Sequence, residues 1–134
     1  MQPSGDRAAL TSIAPFFIVR DVASTIAFYR ERLGFEVRFI APDSDPFFAI
    51  VERDGAQVFM KAILPEVQPT PNPSRHPWAR WDAFVHTPAP ESLAAELTSR
   101  GTPFHQTLRD TEDGLRGFEV KDPDGYVLFF GRPL

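Results

Sequence analysis

The sequence predicts an α+β fold made of two βαβββ modules whose curved sheets enclose a cleft. Three observations predict it. The first is a tight-hairpin signature near the end of the chain, Asp122-Pro-Asp-Gly125, flanked by alternating apolar runs. Pro presets φ at the second turn position, and Gly takes a positive φ at the fourth without steric cost. The plan recurs where Glu52-Arg-Asp-Gly55 joins Phe47–Val51 to Ala56–Ile63. The second observation is an amphipathic helix pattern ahead of each hairpin. The third is a proline-rich stretch that separates the two halves.

Taken in order, residues 1–12 are polar and small and read as a loose arm. Ile13–Arg20 reads as a strand, with Pro15 marking an edge, a bulge or a change of partner because it donates no ladder hydrogen bond. Asp21 suits the N-cap of a helix whose Val22, Ile26, Tyr29 and Leu33 share one face. Gly34 supplies the left-handed C-cap. Phe35–Ala41 is a strand, Pro42–Pro46 a turn, and the first hairpin follows.

Between Leu64 and Trp78 lie five of the 14 prolines, which predicts an extended linker without regular structure. The order then repeats. Trp81–Thr87 is a strand, and Pro90–Arg100 a helix with Leu93 and Leu97 on one face. Gly101 ends that helix, Thr102–Leu108 is a strand, Arg109–Gly114 a polar loop, and the last hairpin closes the chain. The chain reads as a single domain of 134 residues, with modules at about 13–63 and 79–131 joined by linker 64–78.

Composition narrows the function. A 43% hydrophobic share supports a real core, and thirteen Phe against two Tyr favour a core or pocket for a flat organic molecule. A net charge of −4 argues against nucleic acid and anionic membranes and favours neutral or cationic ligands. The absence of Cys excludes disulfides, thiolate metal sites and a Cys nucleophile. No apolar run reaches bilayer length, and the N-terminus lacks signal-peptide features, so cytoplasm is the expected location. Gly-x-Ser-x-Gly, phosphate-loop and His-Glu-x-x-His motifs are missing.

Alternation along the strands points Phe16 and Ile18, then Asp82, Phe84 and His86, then Val127 and Phe129 toward the cleft. Trp78 and Trp81 flank the fifth strand at the cleft mouth, with Phe47 and Phe48 at the other edge. Asp82 has two readings: an ion pair with Arg80 or Arg116, or an anionic contact for a cationic ligand. His76, His86 and His105 show no ligand spacing. His86 alone shares a face with Asp82 and Phe84.

In the order and spacing of Ala14–Val22, Phe28 to Phe35, Phe48 to Gly55, Leu93 to Gly101 and Phe118 to Gly125, the chain resembles the vicinal oxygen chelate superfamily. That group holds glyoxalase I, extradiol dioxygenases and bleomycin-resistance proteins. The resemblance is closest to the last of these and covers residues 13–132. It implies mixed sheets completed across a homodimer, with an N-terminal arm exchanged at Pro15 and a ligand groove at the interface. It also implies where a metal would bind in the enzymes. Those places fall on Ala14, on Asp82, on Phe129, and on Phe59 or Lys61, so the donor set is lost.

The sequence is therefore read as a metal-free, cofactor-free homodimeric binding protein. It would sequester a planar small molecule or antibiotic, neutral or cationic, through Phe16, Phe47, Phe48, Trp78, Trp81, Asp82, Phe84, His86 and Phe129. The alternative is a glyoxalase-like lyase or isomerase, or a dioxygenase, with displaced metal ligands. An accessory protein of a biosynthetic cluster is a third possibility. The ligand's identity is not written in the sequence.

Overall fold

A computed structural model describes residues 7–134, so the first half of the expected arm, residues 1–6, lies outside the described residues. The elements run β1 (Phe16–Ile18), α1 (Val22–Leu33), β2 (Glu36–Ala41), β3 (Phe48–Arg53), β4 (Ala56–Lys61), α2 (Asn72–Arg75), β5 (Ala83–His86), α3 (Pro90–Ser99), β6 (Gln106–Asp110), β7 (Leu115–Lys121) and β8 (Val127–Pro133). They form two four-stranded sheets in the orders β1-β4-β3-β2 and β5-β8-β7-β6. In each, the first strand pairs in parallel and the rest antiparallel, so both sheets are mixed.

α1 forms where the pattern places it. Val22, Ile26, Tyr29 and Leu33 are buried, and Gly34 closes the helix at φ 74°. Its amide bonds back to the last turn, a geometry that a Cβ would strain. Asp21 stands at the N-cap position in an extended conformation. Its side chain accepts from Ser24 Oγ and caps no backbone amide.

Three expectations need correction. The linker is not wholly irregular: Asn72–Arg75 makes one helical turn with Pro73 in its first turn, and Pro69 and Pro71 are buried just ahead of it. The first strand is short, because Pro15 offers only its carbonyl, which accepts from Phe59 N–H at 3.0 Å. The sixth strand begins later than Thr102 and runs to Asp110. Thr102 is held at the end of α3, its amide on Leu97 O at 3.0 Å and its hydroxyl on Arg32 O at 2.6 Å.

One face of each sheet packs on its helix. Phe17, Val51, Val58 and Met60 on one side and Phe118, Val120, Leu128 and Phe130 on the other join α1 and α3 residues in one apolar cluster. The modules meet across polar contacts as well. Tyr29 OH donates to Asp122 at 3.0 Å, Thr25 Oγ1 to Asp124 at 3.2 Å, and Tyr126 OH to Ile18 O at 2.6 Å. The Tyr126 ring stacks on Phe17 at 4.1 Å. Among the described residues no helix is long and apolar enough to cross a membrane.

Candidate functional site

Because one face of each sheet is committed to its helix, side chains of opposite parity point the other way. On the second sheet that face gathers Phe84, His86 and Phe129. Phe84 lies 5.1 Å from Phe129 and 4.5 Å from the His86 ring, and Trp81 lies 5.4 Å from Phe84 and 5.1 Å from Phe129. The Arg80 guanidinium sits over the Trp81 ring at 5.3 Å. The Trp81 indole N–H is buried and finds no acceptor among the described residues.

Phe129 is only 2% exposed despite its place on this face. Its ring lies across Gly117 and Gly131, which oppose each other on β7 and β8. A Cβ on either glycine would come within 2.7 Å of that ring. The two glycines thus form the shelf on which the phenyl group lies flat. Sequence alternation finds Phe129 but gives no signal for this shelf.

On the first sheet the corresponding face carries Phe16, Phe39, Phe48, Ile50 and Phe59. Phe48 contacts Phe16, Phe39 and Phe59 with ring centroids 5.9 to 6.2 Å apart. Phe16 is 55% exposed, and Phe47 stands beyond the cluster with Lys61 Nζ 6.0 Å above its ring. In β4, Phe59 and Lys61 oppose Phe16 and Ile18 in register, so both lie on this face. The sequence reading passed over Phe39 and gave Phe59 only as a lost metal place.

Asp82 does not make the ion pair foreseen for it. Arg80 is bound to Asp113 at 2.7 Å, and Arg116 to Glu91 and Asp110. Asp82 instead accepts Asn72 N–H at 2.7 Å and Val127 N–H at 2.8 Å, one on each carboxylate oxygen. It clasps the linker to the start of β8. Asn72 Nδ2 reinforces the clasp through Trp81 O at 3.2 Å. Trp78 stands away from the ring cluster, 87% exposed, with the His76 ring against it at 5.6 Å.

A divalent ion needs three or more convergent N or O donors. The residues at the places implied by the resemblance do not fit one. Ala14 and the Phe129 ring offer no donor, and both Asp82 oxygens are taken by backbone amides. Among the described residues no group of three His, Asp or Glu is arranged to hold an ion.

A residue missed at the sequence level lies on the second face. Glu119 opposes Phe129 on β8 and Gln106 on β6, and its side chain is 12% exposed. The signal was available: Glu119 shares parity with Gly117 and, across the hairpin, with Phe129. Two clefts of the chain lie elsewhere. One of about 820 Å³ runs along the end of α1 to Arg100, and one of about 320 Å³ lies between Leu33, Phe35, Arg53, Leu97 and Phe130.

The sequence matches the family described as Glyoxalase/Bleomycin resistance protein/Dioxygenase superfamily over residues 10–130. No curated protein matches it. Among solved structures it is similar to a bleomycin-binding protein from Streptomyces verticillus complexed with copper(II)-bleomycin. That pair has 20% identity, a TM-score of 0.68, and coverage of 96% of this chain and 100% of the other. An antibiotic binding protein from a Streptomyces species gives 19%, 0.65, 95% and 100% in the same order. A glyoxalase-related enzyme from Clostridium phytofermentans gives 14%, 0.72, 96% and 99%. At these identities the likeness shows the fold.

Proposed function

The chain belongs to the glyoxalase/bleomycin resistance protein/dioxygenase superfamily, and from that premise we propose that it is a metal-free binding protein that sequesters a planar small molecule. The observation that carries this reading is the pair of aromatic faces, Phe16, Phe39, Phe48 and Phe59 on one sheet and Trp81, Phe84, His86 and Phe129 on the other. Stacking on flat rings suits such surfaces, and Ala14, Asp82 and Phe129, at the places where the family's enzymes hold a metal, form no donor set for Lewis-acid chemistry. Structural neighbours that bind bleomycin and another antibiotic agree with a guest of that type.

The ligand residues in this reading are Phe16, Phe47, Phe48, Trp78, Trp81, Phe84, His86 and Phe129, with Asp82 holding the linker beside them. The ring faces are open surfaces of one chain, so a groove needs a second wall. A second copy of the chain supplies it. Leu10 and Ile13, almost fully exposed on the segment before β1, are the apolar residues an exchanged arm would bury on its partner. The assembly is one homodimer of single-domain chains in the cytoplasm. Protection follows from mass action, so it scales with protein concentration over Kd and requires no turnover.

Tryptophan fluorescence titrated with bleomycin and other planar antibiotics tests the reading. Saturable quenching is expected, weakened at least several-fold by Trp81→Ala. No response to any of them removes the sequestration reading. Metal analysis after anaerobic purification separates the rival: stoichiometric Zn, Ni, Mn or Fe points to an enzyme with displaced ligands. Sedimentation at micromolar concentration is expected to give a dimer, and a compact monomer removes the shared groove.

A further inference from the structure

We propose that Glu119 is the cation-recognising group of this groove, and that the preferred guest is a planar aromatic bearing a protonated amine, amidine or guanidine. The proposal rests on the binding reading above and names the charge that the site selects.

Glu119 stands on β7 among rings, opposite Phe129 and on the face that carries Phe84 and His86. Its carboxylate is largely covered, yet accepts no hydrogen bond from any described residue. His105 Nε2 stands 3.9 Å away, an ion-pair distance when the imidazole is protonated but beyond hydrogen-bond reach. Arg109, in register with the neighbouring Gly117, lines a separate surface cleft with Arg80, Glu112 and Asp113. The other acids of this module, the exposed Glu112 aside, are matched: Asp82 by two backbone amides, Glu91 and Asp110 by Arg116, Glu96 by Arg53 and Arg100, Asp113 by Arg80, Asp122 by Tyr29 and its own turn, and Asp124 by Arg20 and Thr25. Glu119 is the exception among them.

A carboxylate withdrawn from water without donors is costly, and a cation that hydrogen-bonds it recovers that cost. The surrounding ring faces attract the same sign of charge, so a cationic aromatic guest gains from Glu119 and from Phe84 and Trp81 at once. An anionic guest of the same shape meets the carboxylate and is rejected.

The test compares proflavine, planar and cationic at neutral pH, with acridine, the same ring system without the charge, by calorimetric titration at slightly alkaline pH. Wild type is expected to bind proflavine at least about tenfold more tightly than acridine, the size of one charge-assisted hydrogen bond. Glu119→Gln, which keeps the shape, is expected to remove that preference and leave acridine binding within twofold. Glu119→Asp keeps the charge one methylene further back and is expected to retain part of the preference. It carries the test if the Gln variant fails to fold by circular dichroism.

Equal binding of the two probes by wild type, or a Gln variant that loses both alike, overturns the assignment to Glu119. If acridine still binds and Trp81→Ala weakens it, the groove reading survives that result. Binding of neither probe removes both.

Discussion

The two hairpin tips, Arg53-Asp54-Gly55 between β3 and β4 and Asp122-Pro-Asp-Gly125 between β7 and β8, occupy the same place in the repeat. Each reaches the helix of the other module, but they hold on by opposite physics. Arg53 grips Glu96 of α3 through two hydrogen bonds at 2.7 and 3.0 Å, and Leu33 O at 2.9 Å, with side chains 26% and 37% exposed. Asp122, 4% exposed, takes the Tyr29 hydroxyl of α1 and the amides of Asp124 and Tyr126. One joint is a wet ion pair and the other a dry acceptor cluster. The difference teaches that a repeated turn sequence reproduces the backbone, while solvation decides what each joint contributes.

The strongest way to break the comparison is Asp122→Ala. It leaves two amides and the Tyr29 hydroxyl without their acceptor, and a loss of about 3 kcal/mol is expected in urea unfolding. Asp122→Asn keeps an acceptor for the amides and an amide group for Tyr29, so it is expected to change stability little at neutral pH. It should, however, alter the pH profile. Burial pushes the Asp122 carboxyl up to about 6 from 3.8, against the hydrogen bonds from Tyr29 and the turn amides that pull it down. The folded chain therefore binds this proton more tightly than the unfolded one. The associated stability is complete below 3.8 and is lost as pH rises through 6. Relative to Asp122→Asn, wild type should gain about 2–3 kcal/mol between neutral pH and pH 4. A flat difference would mean that the carboxylate is solvated in the native state.

Much of this repeat was legible in sequence, and the reasons for what was not are specific. The Val22, Ile26, Tyr29, Leu33 face and the two turn signatures encode local geometry, so α1 and both hairpins follow from them. Strand parity likewise finds Phe16, Phe84 and Phe129. The role of Asp82 was hidden because its partner, the Asn72 amide, belongs to a backbone turn inside a stretch that prolines mark as irregular. The flat seating of Phe129 was hidden because it depends on two glycines 14 residues apart meeting across a ladder. Glu119 was missed for a different reason. A charged residue in a strand is read as solvated by default, and only the covering side chains show otherwise.

Glycines at the two tips sharpen the comparison at the level of the backbone. Gly125 (φ 94°) and Gly55 (φ 87°) both sit where a side chain is strained. Gly55→Ala meets nothing within 4 Å, so strain alone, about 1 kcal/mol, is expected. Gly125→Ala also brings its Cβ within 3.3 Å of Pro71 Cγ in the linker. A larger loss, about 1.5–2 kcal/mol, is expected there. The excess should disappear in a Pro71→Ala background. If the excess persists in that double mutant, the linker is not what makes the second tip the less tolerant one.

The smallest effect belongs to the exposed joint. Arg53→Met keeps much of the side-chain stem and removes the fork that holds Glu96 and Leu33 O, and a loss of no more than about 1 kcal/mol is expected. Its signature is the sign of its pH dependence. The Arg53 hydrogen bond, opposed by burial and aided by Arg100, holds the Glu96 carboxyl below its ordinary 4.5. That contribution is present above 4.5 and lost as pH falls through the lowered value. Acid thus weakens the first joint where it has already strengthened the second. Urea midpoints of wild type and Arg53→Met should therefore converge at the acid end of the range, and also in high salt, which screens an exposed pair. A difference that survives both acid and salt would assign the work of Arg53 to its bond with the Leu33 carbonyl, and the two tips would then differ in burial but not in kind.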